Sequence, residues 1–194
     1  MNQLQFFYQL CMFKETPDKS PYSVGLLIVS LLLSIALGFW VVIGLNYYAP
    51  LLNLLLLSPF VMTLFSAIAI TPTLIATYTT GVVYVSGYKN RLVQSLTCVL
   101  MSICILYLLL FVLLYFIQLI AVNLIDFSPM TSLKLLGGVV FIVITILLWI
   151  LSIVKFIYQH AIGPQKAYAA ISVWVLIEIL VAMFLPEILY SLLH

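Results

Sequence analysis

Five long apolar runs, set apart by the chain's few charged, polar and proline residues, dictate what this sequence can fold into. They lie at about 24–45, 59–86, 92–119, 135–157 and 167–189. A bilayer core about 30 Å thick asks for about 20 apolar residues in a helix, and each run meets that length. The whole chain of 194 residues is 66% hydrophobic and 6% charged. A soluble domain carries about 25% charged residues, so too little polar surface remains here to coat a water-soluble fold. Cytosolic enzymes, secreted disulfide scaffolds, disordered chains and nucleic-acid binders are excluded. The expected class is all-α: a polytopic transmembrane bundle of five spans over residues 21–194, preceded by a segment at 1–20.

The second run needs its prolines. Leu51–Ser86 would rise about 54 Å as one helix, which is too long for a straight crossing. Ser58-Pro59 reads as an N-cap followed by proline in the first turn, so the crossing is expected to begin there. Leu51–Leu57 is then a short interfacial or re-entrant piece. Pro72, inside the crossing, is expected to kink it. Ser20-Pro21 and Ser128-Pro129 repeat the helix-start signal.

Basic residues set the expected orientation. With loops assigned alternately to two sides, one side receives Lys14, Lys19, Lys89, Arg91, Lys155 and Lys166, and the other only Lys134. Cytoplasmic loops carry the excess of Lys and Arg, so the N-terminus is expected in the cytoplasm and the C-terminus outside. An even number of spans would break that agreement. The opening MNQLQFFYQLCMF has no basic flank and reads as no cleavable signal. Its alternation of Gln3, Gln5 and Gln9 with Leu4, Phe6, Phe7, Leu10 and Phe13 fits an amphipathic helix on the cytoplasmic interface.

In lipid, helices associate through small residues and interhelical hydrogen bonds, so small or polar rows are expected to face protein. The first span has Ser30, Ser34 and Gly38 at four-residue steps. The second has Thr63, Ser66, Thr73, Thr77 and Thr80. The third has Gln94, Cys98 and Ser102. The fourth has Gly138, Thr145, Trp149, Ser152 and Gln159, and the fifth Ala167, Ala170, Trp174, Glu178 and Ala182.

Glu178 is the one ionisable residue near the middle of a span. A charge at that depth costs several kcal/mol, roughly 2.5 or more, and such residues face the bundle, a pathway or a partner. It is expected to be protonated and hydrogen-bonded to Thr145, Ser152 or a second-span threonine such as Thr73 or Thr77. Lys166 lies about 18 Å away along the same helix, and an ion pair with Lys155 is not expected.

The remaining chemistry is sparse. Cys98 and Cys104 lie six apart without sharing a helix face, and with Cys11 they read as small buried hydrophobes. His160 stands alone in the loop KFIYQHAIGPQK, and His194 falls on the other side, so zinc, which needs three or four convergent ligands, is not expected. No nucleophile triad, zinc motif, phosphate loop or glycine-rich nucleotide turn is present. No enzyme activity and no cofactor are expected.

The stretches YTTGVVYVSGYKNRLVQSL, QHAIGPQKAYAAI and ETPDKSPYSVGLL, with the five close spans and outside C-terminus, resemble the bacterial members of the Yip1 superfamily. The DLYGP-type signature of the eukaryotic proteins is absent, so no small-GTPase partner is carried over. The resemblance implies a non-enzymatic helical bundle of the bacterial inner membrane that associates with other membrane proteins, and it assigns no functional residues.

The expected function is therefore helix–helix association, with itself or with other membrane proteins, in an assembly, scaffold or trafficking-like role. Membrane lipids and membrane proteins are the expected partners, and nucleic acid is not. The alternative is a small proton- or solute-coupled transporter or channel using Glu178.

Overall fold

A computed structural model describes the backbone of residues 3–20, 22–53, 58–123 and 129–193, and side chains over 5–20, 22–41, 43, 71–113, 115–116, 141–142, 144–181 and 183–184. The described chain is all-α: α1 (Gln3–Cys11), α2 (Val24–Asn53), α3 (Ser58–Val85), α4 (Leu92–Asn123), α5 (Pro129–Ile162) and α6 (Pro164–Leu193). Short 3₁₀ turns at Pro17–Lys19 and Lys89–Arg91 precede α2 and α4. No strand occurs among the described residues. Among the described residues, stretches within α2, α5 and α6, together with Lys89–Leu113, give four helices long and apolar enough to cross a membrane.

The helices start and stop where backbone chemistry requires it. Ser23 Oγ accepts the Leu26 N–H at 3.2 Å and so caps α2, three residues later than the Ser20-Pro21 signal suggests. At the end of α3, Gly87 turns to φ +87°. Its N–H donates to the Tyr84 carbonyl at 3.1 Å and the Tyr88 N–H to the Val83 carbonyl at 3.2 Å, the paired C-terminal closure that a left-handed glycine permits. Gly163, at φ +91°, ends α5, and Pro164 opens α6 at once.

Two expected loops are thus largely helical. α2 runs through Asn46–Pro50 to Asn53, and α5 runs through Lys155 and His160 to Ile162, leaving Gly163 alone between α5 and α6. A charged or polar residue marks the membrane boundary without ending a helix. A residue that leaves right-handed helical backbone ends it, and in α5 that residue is Gly163. α3 begins at Ser58, as the Ser-Pro signal indicates, and α5 at Pro129. The rest of the expected Leu51–Leu57 piece, residues 54–57, lies outside the described residues.

α4 is the central helix. It packs on α2, α3 and α5, while α3 also packs on α2 and α6, and α6 on α5. Every residue from Ser95 to Cys104 is buried, so this stretch has no lipid-facing side. Ser30, Ser34 and Gly38 of α2 are buried as the four-residue step predicts. Cys104 Sγ donates to the Ser30 carbonyl at 3.7 Å, a contact that the small face of α2 allows by letting α4 approach its backbone.

The apolar face of α1 is turned to protein. Phe6, Phe7, Leu10 and Cys11 are buried in the main core, while Tyr8 and Met12 are exposed. Cys11 Sγ donates to Ser102 Oγ at 3.9 Å, and burial pushes the Cys11 thiol above its ordinary pKa. Phe13 ends α1 in the left-handed region at φ 57°, with its ring edge-on to Phe156 of α5 at 5.4 Å. Behind it, Arg91 Nη1 lies 3.3 Å from Asp18 Oδ1 and donates to the His160 carbonyl, and Gln94 Nε2 donates to the Ser20 carbonyl at 2.8 Å. The N-terminal segment is so tied to the basic ends of α4 and α5. All three cysteines are free and buried.

Candidate intramembrane polar site

The site is built on the α3–α6 contact. α6 turns Ala167, Ala170 and Trp174 inward, all buried, as their three- and four-residue spacing predicts. Tyr78 of α3 fills the space these small residues leave. Its hydroxyl donates to the Ala170 carbonyl at 2.6 Å, and its ring lies 5.2 Å from that of Trp174, tilted by 44°. Each further turn of α6 away from Gly163 meets an earlier turn of α3. Glu178, one turn beyond Trp174, therefore reaches Thr71, two turns before Tyr78.

Thr71 Oγ1 donates to Glu178 Oε1 at 3.4 Å. This hydrogen bond is long, and it is made from residues that are only partly buried. Tyr107 of α4, 2% exposed, lies within electrostatic reach of the carboxyl group. Two helices thus meet at one carboxyl: α3 through Thr71 and α6 through Glu178. Pro72, buried beside Thr71, has no N–H, so the hydrogen-bond ladder of α3 lacks one bond at the same level while the helix continues through it.

The second-span threonine that meets Glu178 is Thr71, and not the expected Thr73 or Thr77, which are exposed. Thr145 and Ser152 are not brought to Glu178 either. Both are exposed on α5, where they donate to the Phe141 and Leu148 carbonyls at 2.8 Å. The buried face of α5 is instead Ile150, Ile153, Val154, Ile157, Tyr158 and Ala161. The rule that polar residues face inward fails here for a physical reason. A serine or threonine hydroxyl that bonds the carbonyl four residues earlier is already satisfied and tolerates lipid. Thr77 and Thr80 do the same, at 2.9 Å and 2.8 Å. The side chains of Thr63, Ser66, Gly138 and Ala182 lie outside the described residues.

Lys155 is not paired with Glu178; its Nζ lies 4.0 Å from the Tyr168 ring centre. Among the described residues no group of three or more His, Cys, Asp or Glu side chains could hold a metal ion. A carboxyl beside a hydroxyl can donate, accept and exchange a proton, and that is the chemistry available.

Thr71 and Tyr107 escape a reading based on helical rows. Thr71 falls off the row of Thr73, Thr77 and Thr80, and Tyr107 stands among leucines. The one local signal for Thr71 is its place directly before Pro72. Protein-family models, curated proteins and solved structures were compared with this chain, and none matches it.

Proposed function

We propose that this chain is a five-span membrane protein that works by helix–helix association with itself or with other membrane proteins, as a non-enzymatic assembly or scaffold component. The observation that carries the reading is the outward direction of small-residue rows. Thr73, Thr77 and Thr80 on α3, and Thr145 and Ser152 on α5, stand exposed where a helix committed to lipid would carry leucine or phenylalanine. The hydroxyls of Thr77, Thr80, Thr145 and Ser152 are satisfied within their own helices, so the separated state is not penalised. The low surface they leave permits the close backbone approach on which association in lipid depends.

The proposed topology has α2 to α6 as the five spans, the N-terminus in the cytoplasm and the C-terminus outside. Contacts among basic residues and their neighbours support it: Lys155 lies on Tyr168, Lys166 on Tyr88 and Lys89 on Tyr84, while Arg91 lies beside Asp18. These residues belong to one end of the bundle. The bacterial inner membrane is the proposed setting, in keeping with the resemblance to bacterial Yip1-superfamily proteins.

Cysteine cross-linking in native membranes tests the reading. The natural cysteines are buried, so Thr77→Cys or Ser152→Cys provides an exposed thiol. Adducts with a second copy or a distinct membrane protein are expected at one of these rows, and not at the lipid-facing Leu32→Cys. Equal or absent adducts at all three positions would count against association. Reporter fusions after Lys89 and Lys166 should report cytoplasm, and a cytoplasmic fusion at His194 would exclude five spans.

The Thr71–Glu178 contact beside Pro72 favours a second reading, a small proton- or solute-coupled transporter. A liposome flux lost in a folded Glu178→Gln protein would replace the first reading with this one.

A further inference from the structure

Between the end of α3 and the start of α6 runs an open groove of about 430 Å³, within the ~300–1,000 Å³ range of small-ligand sites. Tyr78, Gly81 and Val85 line one side, and Ala169 the other; Ser86 and Lys166 stand at its basic end. Gly81 faces the open space of the groove, since a Cβ added there would meet nothing within 4 Å. We propose that this groove binds a phospholipid with an anionic headgroup, one acyl chain lying on the apolar floor and the phosphate meeting Lys166 and the Ser86 hydroxyl.

Charge complementarity identifies the occupant. The ion pairs among the described residues are Lys19–Glu15 and Arg91–Asp18. Lys89, Lys155 and Lys166 lie instead on tyrosine rings, at 4.1, 4.0 and 5.9 Å from the ring centres. A ring face orients an ammonium group without cancelling its charge. The loosest of these contacts is that of Lys166, the lysine that lines the groove. Tyrosine and lysine together mark the level of lipid headgroups, and basic pockets between helices at that level select anionic lipids. An apolar trough ending in an unneutralised cation fits an amphiphile with an acyl tail and a phosphate head. A soluble anion would leave the trough empty, and a zwitterionic lipid would bring a second cation to Lys166.

The test uses the full-length protein in detergent, with binding of phosphatidylglycerol and phosphatidylcholine of identical acyl chains measured by native mass spectrometry. Wild type should prefer phosphatidylglycerol. Lys166→Gln should reduce that preference about five-fold, the effect of one lysine near an anionic lipid, and leave phosphatidylcholine binding unchanged. Gly81→Leu, or Ala169→Leu as a second groove-filling change, should weaken both lipids while the melting temperature without lipid is retained. Equal binding of the two lipids by wild type would overturn the proposal. So would an unchanged preference in Lys166→Gln, unchanged binding in both groove-filling variants, or displacement of the lipid by inorganic phosphate. The proposal does not depend on self-association: cross-linking through Thr77→Cys reads out one and lipid preference the other.

Discussion

The Tyr158 hydroxyl of α5 lies 2.8 Å from the Thr79 hydroxyl of α3, and both residues are fully buried. The phenol reaches across the bundle interior to join two helices that are not neighbours in sequence. Thr79 has an alternative that Tyr158 lacks, because its hydroxyl can turn to the carbonyl four residues earlier, as those of Thr77 and Thr80 do. Tyr158→Phe is therefore expected to cost only about 0.6–1.7 kcal/mol, the range for one hydrogen bond in a membrane bundle. Tyr158→Ala also leaves a cavity and should cost roughly 3–5 kcal/mol, by analogy with other aromatic truncations. Unfolding in detergent would show the difference; equal losses would mean that the ring contributes nothing beyond its hydroxyl.

Glu178 and Thr71 form the second testable pair. Glu178→Gln keeps an acceptor for the Thr71 hydroxyl and should be nearly as stable as wild type. Glu178→Leu removes the acceptor and should cost about 0.6–2 kcal/mol. In the Thr71→Val background the gap between Gln and Leu should shrink, and a double-mutant cycle measures that coupling directly. An unchanged gap would mean that Glu178 is held by something other than Thr71.

The α2–α4 contact should be intolerant of bulk on one side only. Ser34 is 0% exposed and Gly38 is buried with it. Ser34→Leu or Gly38→Leu forces the two backbones apart, with an expected loss of about 1–3 kcal/mol from overpacking. Leu32 is 62% exposed, and Leu32→Ile should be silent. Similar melting temperatures for the two classes would show that the small face is not where α4 packs.

Phe13 gives a test of backbone strain at the end of α1. A non-glycine residue in left-handed backbone costs roughly 1–2 kcal/mol, and its edge-on contact with Phe156 returns about 0.5–1.5 kcal/mol. Phe13→Ala loses the ring and keeps the strain, whereas Phe13→Gly loses both. The glycine variant should therefore be the more stable of the two by about 1 kcal/mol. Thermal unfolding followed by a probe on α1 checks the order, and a more stable alanine variant would contradict the geometry.

Composition and spacing alone determined that this chain is helical and apolar enough for a membrane, because the length of a charge-free run is a one-dimensional property. They also determined the inward faces of α2 and α6, where small residues recur at helical steps and Ser30, Ser34, Ala167 and Ala170 are buried. That pattern predicts five spans, and among the described residues four helices are long and apolar enough to cross a membrane. The tertiary structure alone decided which polar residues face protein. A hydroxyl bonded to its own helix is satisfied whichever way it faces, so the sequence does not reveal the direction of Thr77, Thr145 and Ser152, and each is exposed. It likewise decided that Thr71 meets Glu178, because that contact depends on how α3 and α6 align at Tyr78 and Ala170, and the register between two helices is written in neither one's periodicity. α1 followed the same logic: its amphipathic pattern was legible, but whether the apolar face meets lipid or protein depended on the space left beside α4, which only the assembled bundle defines.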